Sequence, residues 1–535
     1  MNNIQKVNEQ KYSRGRFAIV LVLFVLIDAV VTFLAYKDFV INSDISNHIL
    51  EAKDVVHGNF FYRDWNLSQI SFLFSDIVFY SLGYLVCGVS RKAAVLCFII
   101  AAIVTQILIY LSCMSGKSFD IKDRIIIAGL IMAPSVSFLS TDTVHFGAWM
   151  YCVIGFMLYD KLNKEKDETK YKKLRMALLI IWILGIFSDF LVFLYGALPC
   201  VLYSFLRIYR NESRTLKDFK NPLTGVYSFI IAYILEFIYY LVGGANRVGT
   251  VAGLEFSDIS AWGENITRFI GFLLRSFGAD FTGKKALLPD NILRCVNAVM
   301  LILALNYLLM TIVFMVKEKT RDRMSEILAI GIIIGTFIFI FTNRSRDNYS
   351  ILIPVSLYII LARNFTALES WSRHNWKLNR VVFVMLIIMA IIGRGYDTFK
   401  RSQTPYYDKH EELYKFLEAN GLESGYAPFW DSSICTVLSG ERVRIRHIEY
   451  GTNGMSEYMW FNKNSWYKEK ANFVIIPDTS GLSKDIPIFG ITGGNVETYF
   501  GKPENILETG EYQIYVYNKD LSKELAEPDS RTQYL

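Results

Sequence analysis

The sequence predicts a mainly α polytopic membrane protein of about eleven to thirteen transmembrane helices, followed by a small mixed α/β domain at its C-terminus. Three observations carry that prediction. The 535 residues are 53% hydrophobic and 15% aromatic, too apolar for an ordinary soluble protein of this size. Apolar runs near spanning length recur from residue 17 to residue 394. Beyond residue 394 the pattern changes to short alternating runs, so the expected division is a membrane domain over 1–394, with an exterior loop at 37–69, and a soluble domain over 395–535.

The first run, Phe17 to Tyr36, follows a polar start of sixteen residues and has no good cleavage site in "FLAYKD", so a retained helix is expected. Eleven further runs lie at 70–89, 93–115, 124–139, 144–160, 174–188, 189–207, 224–243, 296–316, 325–342, 349–363 and 380–394. Loop charge then orients them, because short cytoplasmic loops carry excess Lys and Arg. Basic stretches occur at 1–16, 161–175, 207–220, 317–323 and 363–380; the second has seven basic residues against three acids. Two runs separate each basic loop from the next after residue 161, which is consistent. Before it, five runs lie between two basic stretches, an odd number. One run in 70–160 therefore fails to cross, or two form one broken helix, and eleven crossings remain. The N-terminus is expected in the cytoplasm of a cell membrane and the C-terminal domain outside it.

After residue 394, "RVRIRHIEY" (442–450), "ANFVIIPD" (471–478) and "YQIYVYNK" (512–519) read as strands, and "KHEELYKFLEAN" (409–420) reads as a helix. Six of the seven cysteines lie in or beside apolar runs, and Cys435 alone falls in the polar region, so no disulfide framework or zinc pattern is present. The net charge of +6 is placed by the orienting loops and implies no nucleic-acid partner. Phosphate loops of the GxxxxGK[ST] type, GxSxG elbows and HExxH are all missing, which removes the signatures of ATP-driven transport, serine hydrolysis and zincin chemistry.

The exterior stretches hold the unusual residues. The opening loop carries five acids and three basic residues, opposite in bias to the cytoplasmic loops. Asp44, His48 and Glu51 fall at i, i+4 and i+7, on one face if the segment is helical. Acids beside a membrane usually have a partner or a function. These could supply a general base, half of a metal site, or simply part of a solvated interfacial helix. "STDTVHFGAW" (140–149) sets Asp142 and His145 three apart, and "SDFLVFLYGALP" (188–199) puts Asp189 at a hairpin tip. Helix capping also accounts for both acids. Arg344 and Arg346 precede a span on the exterior side, where their planar forks suit phosphate oxygens or snorkel to headgroups. Arg63, between Tyr62 and Trp65, reads as a second phosphate or sugar contact or as an interfacial anchor. Aromatics in "APFWDSS" and "EYMWFNKNSWY" could stack on sugar rings, but most read as core.

Together, "NSDISNHILEAKDVVHGNFF" after a first helix, "SDFLVFLYGALP" before a later span and "SRDNYSILIPVSLYIILAR" approaching a late one resemble the GT-C membrane glycosyltransferases, the superfamily that contains protein O-mannosyltransferases and aminoarabinose transferases. The resemblance covers roughly residues 15–394 and accommodates an exterior C-terminal domain. It implies transfer of a sugar from a polyprenyl-phosphate donor to an extracytoplasmic glycan, lipid or protein, with inversion. Asp44 would be the general base. Arg346, Arg344 and Tyr349 would meet the phosphate, with Arg63, His48 and Glu51 as further substrate contacts. If a divalent metal ion takes part, Asp142, His145 and Asp189 would hold it. Two other classes fit the residues: a lipid-linked sugar flippase or transporter, and an envelope polysaccharide polymerase or ligase. No internal symmetry of the transporter kind is visible.

Overall fold

A computed structural model describes residues 3–68, 70–134, 144–210, 216–242, 246–247, 254–283, 285, 288–317, 322–367, 376–403, 407–477 and 490–528. The apolar runs fold as helices in chain order. They are α1 (Asn3–Tyr36), then α3 (Ile77–Cys87), α4 (Arg91–Met114), α5 (Ile121–Met132), α6 (Phe146–Lys164), α7 (Glu168–Ser188), α8 (Leu198–Tyr209), α9 (Leu216–Leu241), α11 (Pro289–Val316), α12 (Arg323–Phe341), α13 (Leu352–Asn364) and α14 (Trp376–Ser402). Between them lie α2 (Ser43–Val56) in the opening loop and α10 (Ile259–Ser276) in the 244–295 loop. Among the described residues six helical segments are long and apolar enough to cross a bilayer: Ile19–Tyr36, Arg91–Met114, Phe219–Tyr239, Asn291–Val316, Arg323–Phe341 and Asn379–Ser402. The chain is a multi-pass membrane protein. The remaining runs are helical but shorter or more charged. At ~1.5 Å per residue, the eleven residues of α3 and the twelve of α5 fall well short of the ~30 Å of a hydrocarbon core, and both lie in the region where the crossing count is odd.

The chain divides into two compact units. The first comprises Met1–Tyr36, Ile99–Ile234 and Leu254–Thr404. It is helical, and buried ion pairs tie its helices together. Asp28 of α1 pairs with Arg394 of α14, both inside, and Arg394 also donates to the Met132 carbonyl at 3.0 Å. A carboxylate in a spanning helix needs such a partner, because hydrocarbon solvates neither charge. Arg363, at the end of α13 and 1% exposed, donates to Asp322 at 2.6 Å and to the Ser112 and Ser115 carbonyls at 2.6 and 2.8 Å, so one guanidinium closes the C-terminal end of α4. Gly155 lets α6 approach α7: a Cβ there would run into the Trp182 indole.

The second unit comprises Lys37–Phe98, Leu235–Gly253 and Pro405–Leu535. Its strands are β1 (Trp65–Leu67), β2 (Asn246–Arg247), β3 (Ser424–Ala427), β4 (Arg444–Gly451), β5 (Gly454–Glu457), β6 (Asn462–Lys463), β7 (Phe473–Pro477), β8 (Asn505–Thr509) and β9 (Tyr512–Val516). Six form one sheet in the order β5-β4-β3-β7-β9-β8, with β4 and β7 parallel to β3 and the outer strands antiparallel. A parallel pair needs a crossover, supplied between β3 and β4 by α16 (Phe429–Leu438). α15 (Lys409–Ala419) adds Leu413 and Leu417 to a core with Val443, Ile445, Phe473, Ile475 and Ile514. The strands β4, β7 and β9 and the helix α15 fall on the runs the sequence marks. The opening loop folds with this unit: β1 joins β2 and β6 in a small second sheet, and Asn66 Nδ2 donates to Asn462 and Asn464 side chains, both at 2.7 Å.

Candidate functional site

The predicted residues fall into two groups, one in each unit. In the second unit, Asn42 caps α2, its Oδ1 accepting from the Ile45 amide at 2.9 Å. The segment is helical, and His48 and Glu51 share a face as the spacing requires. It is not a solvated interfacial helix: ten of its fourteen residues are buried. α3 and α16 pack on it, with Ser43 Oγ donating to the Phe429 carbonyl at 2.6 Å and Ser433 Oγ to Asn47 Oδ1 at 2.7 Å. Asp44, in the first turn, is half-buried.

His48 Nδ1 meets Glu51 Oε2 at 3.1 Å, both side chains fully enclosed. The imidazole sits in an aromatic cage, with ring centroids of Phe72, Tyr80 and Phe461 at 5.0, 5.3 and 5.3 Å. Burial pushes the Glu51 carboxyl up; His48 opposes this, while Asp54 and Asp44 add to it by repulsion. Asp44 and Glu51 thus lie within electrostatic reach of each other. Tyr62, buried beside Glu51, was not singled out by the sequence, and neither were the cage aromatics. His48 Nε2, Glu51 Oε1 and the Tyr62 hydroxyl are buried without hydrogen-bond partners among the described residues. Buried polar atoms are usually paired, so three orphans together mark a place built to meet something polar. Backbone strain marks it again. Six non-glycine residues among those described have positive φ; two of them line this cage, Phe72 at 52° and Phe461 at 52°, and a third, Tyr62 at 45°, is the tyrosine beside Glu51. Bulky residues there are held at a cost of roughly 1–3 kcal/mol each.

In the first unit, a fourth strained residue is His145 itself, at φ 69° where α6 begins. Its Nδ1 lies 2.6 Å from Asp189 Oδ2. Asp189 also caps: its Oδ1 accepts from the Leu191 amide at 2.9 Å, at the turn between α7 and a π-helical stretch, Phe193–Ala197. Capping and partnership therefore use one carboxylate oxygen each. The Tyr349 ring stands edge-on to His145 at 5.1 Å, and Arg344 reaches the same tyrosine, Nη1 to hydroxyl 3.5 Å, with its guanidinium carbon 5.5 Å from the ring centre. Residues from three separate parts of the sequence, His145, Asp189 and the pair Arg344 and Tyr349, thus form one contiguous chain. Arg346 is exposed two residues away, and Asp347 beside it holds Arg275 at 2.7 Å.

Asp142 lies outside the described residues. Among those described, no group of three or more His, Cys, Asp or Glu side chains could hold a metal ion. With Nδ1 committed to Asp189, Nε2 is the ring nitrogen through which His145 can meet another polar group. Arg63 is exposed, and its surroundings differ from expectation: Tyr62 and Trp65 turn inward. Most aromatics of the 427–433 and 457–467 stretches are packed, including Phe429, Phe461 and Trp466; Trp430 is exposed.

No protein-family description matches the chain, and no curated protein does. Solved structures do. ArnT, an aminoarabinose transferase from Cupriavidus metallidurans, superposes in its apo state with a TM-score of 0.57 at 9% identity, over 92% of this chain and 97% of ArnT. The same enzyme bound to undecaprenyl phosphate gives 0.52 at 10% identity over the same shares. The chain therefore shares the fold of ArnT. Arabinofuranosyltransferase AftD from Mycobacteria aligns at TM-score 0.47 and 11% identity, over 94% of this chain and 40% of AftD. The resemblance to aminoarabinose transferases read from three sequence stretches is in line with the fold shared with ArnT over 92% of this chain and 97% of that one.

Proposed function

We propose that this chain is a membrane glycosyltransferase that takes a sugar from a polyprenyl-phosphate carrier and passes it, with inversion, to an acceptor hydroxyl outside the cytoplasm. The observation that supports it most is the fold shared along nearly the whole length of ArnT, a protein solved with undecaprenyl phosphate bound. In this reading Asp44 removes the acceptor proton as the oxygen attacks the anomeric carbon. His48, Glu51 and Tyr62 form the buried polar wall behind it. Arg346 and Arg344, with Tyr349, neutralise the departing phosphate, and its stability as a leaving group removes the need for a strong acid. His145, oriented by Asp189, adds a hydrogen bond to the same phosphate, or, with Asp189, holds a divalent ion that serves the same charge. The acceptor is an envelope glycan, lipid or protein, and the donor approaches from the bilayer.

The test is incubation of purified protein with a panel of polyprenyl-phosphate sugars, reading both glycosidic product and vesicle uptake. The wild type should form product, and Asp44→Asn should lower kcat by about 10²–10⁴-fold with the fold intact. Equal turnover by the variant would move the base elsewhere. Uptake without product would make the chain a transporter.

A further inference from the structure

The segment 57–64, "HGNFFYRD", leaves two large apolar side chains and a cation outside for no internal reason. Phe60 is 57% exposed and Phe61 44%, while Tyr62, between Phe61 and Arg63, is fully buried. Arg63 is exposed and has no side-chain hydrogen bond or ion pair among the described residues. The segment is nevertheless rigidly braced. Asn59 grips both backbone groups of Arg63, its Oδ1 accepting from the amide at 2.9 Å and its Nδ2 donating to the carbonyl at 3.0 Å. The Tyr62 amide donates to the Asn59 carbonyl at 3.1 Å. At the far end Asp64 accepts from the Ser465 and Asn464 amides. Such bracing presents the three side chains together instead of letting them collapse.

What they are presented to follows from their neighbour. The Tyr239 hydroxyl donates to the Phe60 carbonyl at 2.7 Å, and the Phe61 ring stacks on the Tyr239 ring at 5.5 Å. Tyr239 is the last residue of the candidate span Phe219–Tyr239. The end of a span lies at the boundary between hydrocarbon and headgroups, the level that aromatic rings and arginines favour. Exposed phenylalanines there meet acyl chains, and a guanidinium at the headgroup level meets phosphate. We infer that residues 57–64 form a membrane-interface wedge, with Phe60 and Phe61 entering the acyl boundary and Arg63 bonding a lipid phosphate. This surface does not depend on the proposed transferase activity. The phosphate belongs either to a bilayer phospholipid or to a polyprenyl carrier, and the chemistry is common to both.

Full-length protein with Cys87 and Cys295, the two cysteines that are not buried, replaced by serine provides the test. A nitroxide at Phe61→Cys, in phosphatidylcholine nanodiscs, should collide several-fold more with oxygen and less with chelated nickel than one at Lys415→Cys, an exposed position in α15. Equal accessibility at the two positions would overturn the wedge. Adding Arg63→Glu should then shift position 61 towards water. A shift in phosphatidylcholine alone assigns the phosphate to the bilayer, and one that needs added polyprenyl phosphate assigns it to the carrier. No shift in either would overturn the role of Arg63. Failure of any arm leaves the glycosyl-transfer assay to be judged separately.

Discussion

At the residue scale, Glu51 is the sharpest case of structure kept against its own stability. Its carboxyl is buried, pushed up by burial and by its acidic neighbours, and one oxygen has no partner among the described residues. An acid whose pKa is higher folded than unfolded is favoured folded at low pH, and that stabilisation is lost as pH rises from the unfolded value of ~4.3 through the raised folded one. Glu51→Gln should therefore raise unfolding stability at pH 7.5, on the order of 1 kcal/mol, while lowering turnover; denaturation of the purified variant beside its activity checks both. A variant less stable and fully active would make Glu51 structural. Arg346, exposed and without a partner among the described residues, predicts a different pattern: Arg346→Ala should leave stability unchanged and weaken donor use by roughly 1.5–3 kcal/mol, read as donor KM with acceptor KM constant. For His145 and Asp189, Asp189→Asn should lower activity by about tenfold to a hundredfold. Chelation by EDTA separates the two roles, since only an ion-holding pair loses activity to it.

At the scale of elements, the joint between α15 and α16 carries a pH dependence of its own. His410 is flanked by Asp408 at 3.2 Å and Asp431 at 3.1 Å, and the Tyr512 hydroxyl of β9 donates to the same Asp431 oxygen at 2.7 Å. Burial opposes the charged imidazole, but the two carboxylates outweigh it and hold His410 above its ordinary value. The sign is that of a raised histidine: its stabilisation is fully present below ~6.5 and is lost as pH rises through the folded value. Hydrogen exchange in the full-length protein, corrected for intrinsic rates, should show α15 and the start of α16 losing protection above neutral pH. His410→Gln should abolish that dependence. In contrast, burial drives His447, at the centre of β4, down to about 3, so it stays neutral throughout and contributes no such change.

At the scale of the whole molecule, the second unit gathers the opening loop, a short piece near residue 240 and the C-terminal region. Loop charge predicts that this material lies outside the cell. A maleimide reagent that cannot cross the membrane should label Lys415→Cys in intact cells and spare a cysteine placed in the basic 161–175 loop; the reverse pattern would invert the topology. In the odd-numbered region α3 and α5 are the two shortest described apolar helices, and the same labelling at either end of each should find one of them with both ends on one side; ends on opposite sides for both would move the odd run elsewhere in 70–160.

The sequence by itself determined the class of protein, because hydrocarbon demands helices and short basic loops orient them; both leave their mark in composition and local order. It also placed the strands β4, β7 and β9 and the helix α15, whose periods are local. Asp44, His48 and Glu51 were legible for the same reason, since one helical face is a matter of spacing. Only the tertiary structure decided what those residues meet. Phe72, Tyr80 and Phe461 close on His48 from three separate segments. His145, Asp189, Tyr349 and Arg344 converge across two hundred residues of chain. The positive φ angles at Tyr62, Phe72, His145 and Phe461 have no local sequence signal, because no glycine or turn motif asks for them; surrounding packing imposes them. Long-range contact and imposed strain are properties of the folded chain, and a reading of local pattern has no access to either.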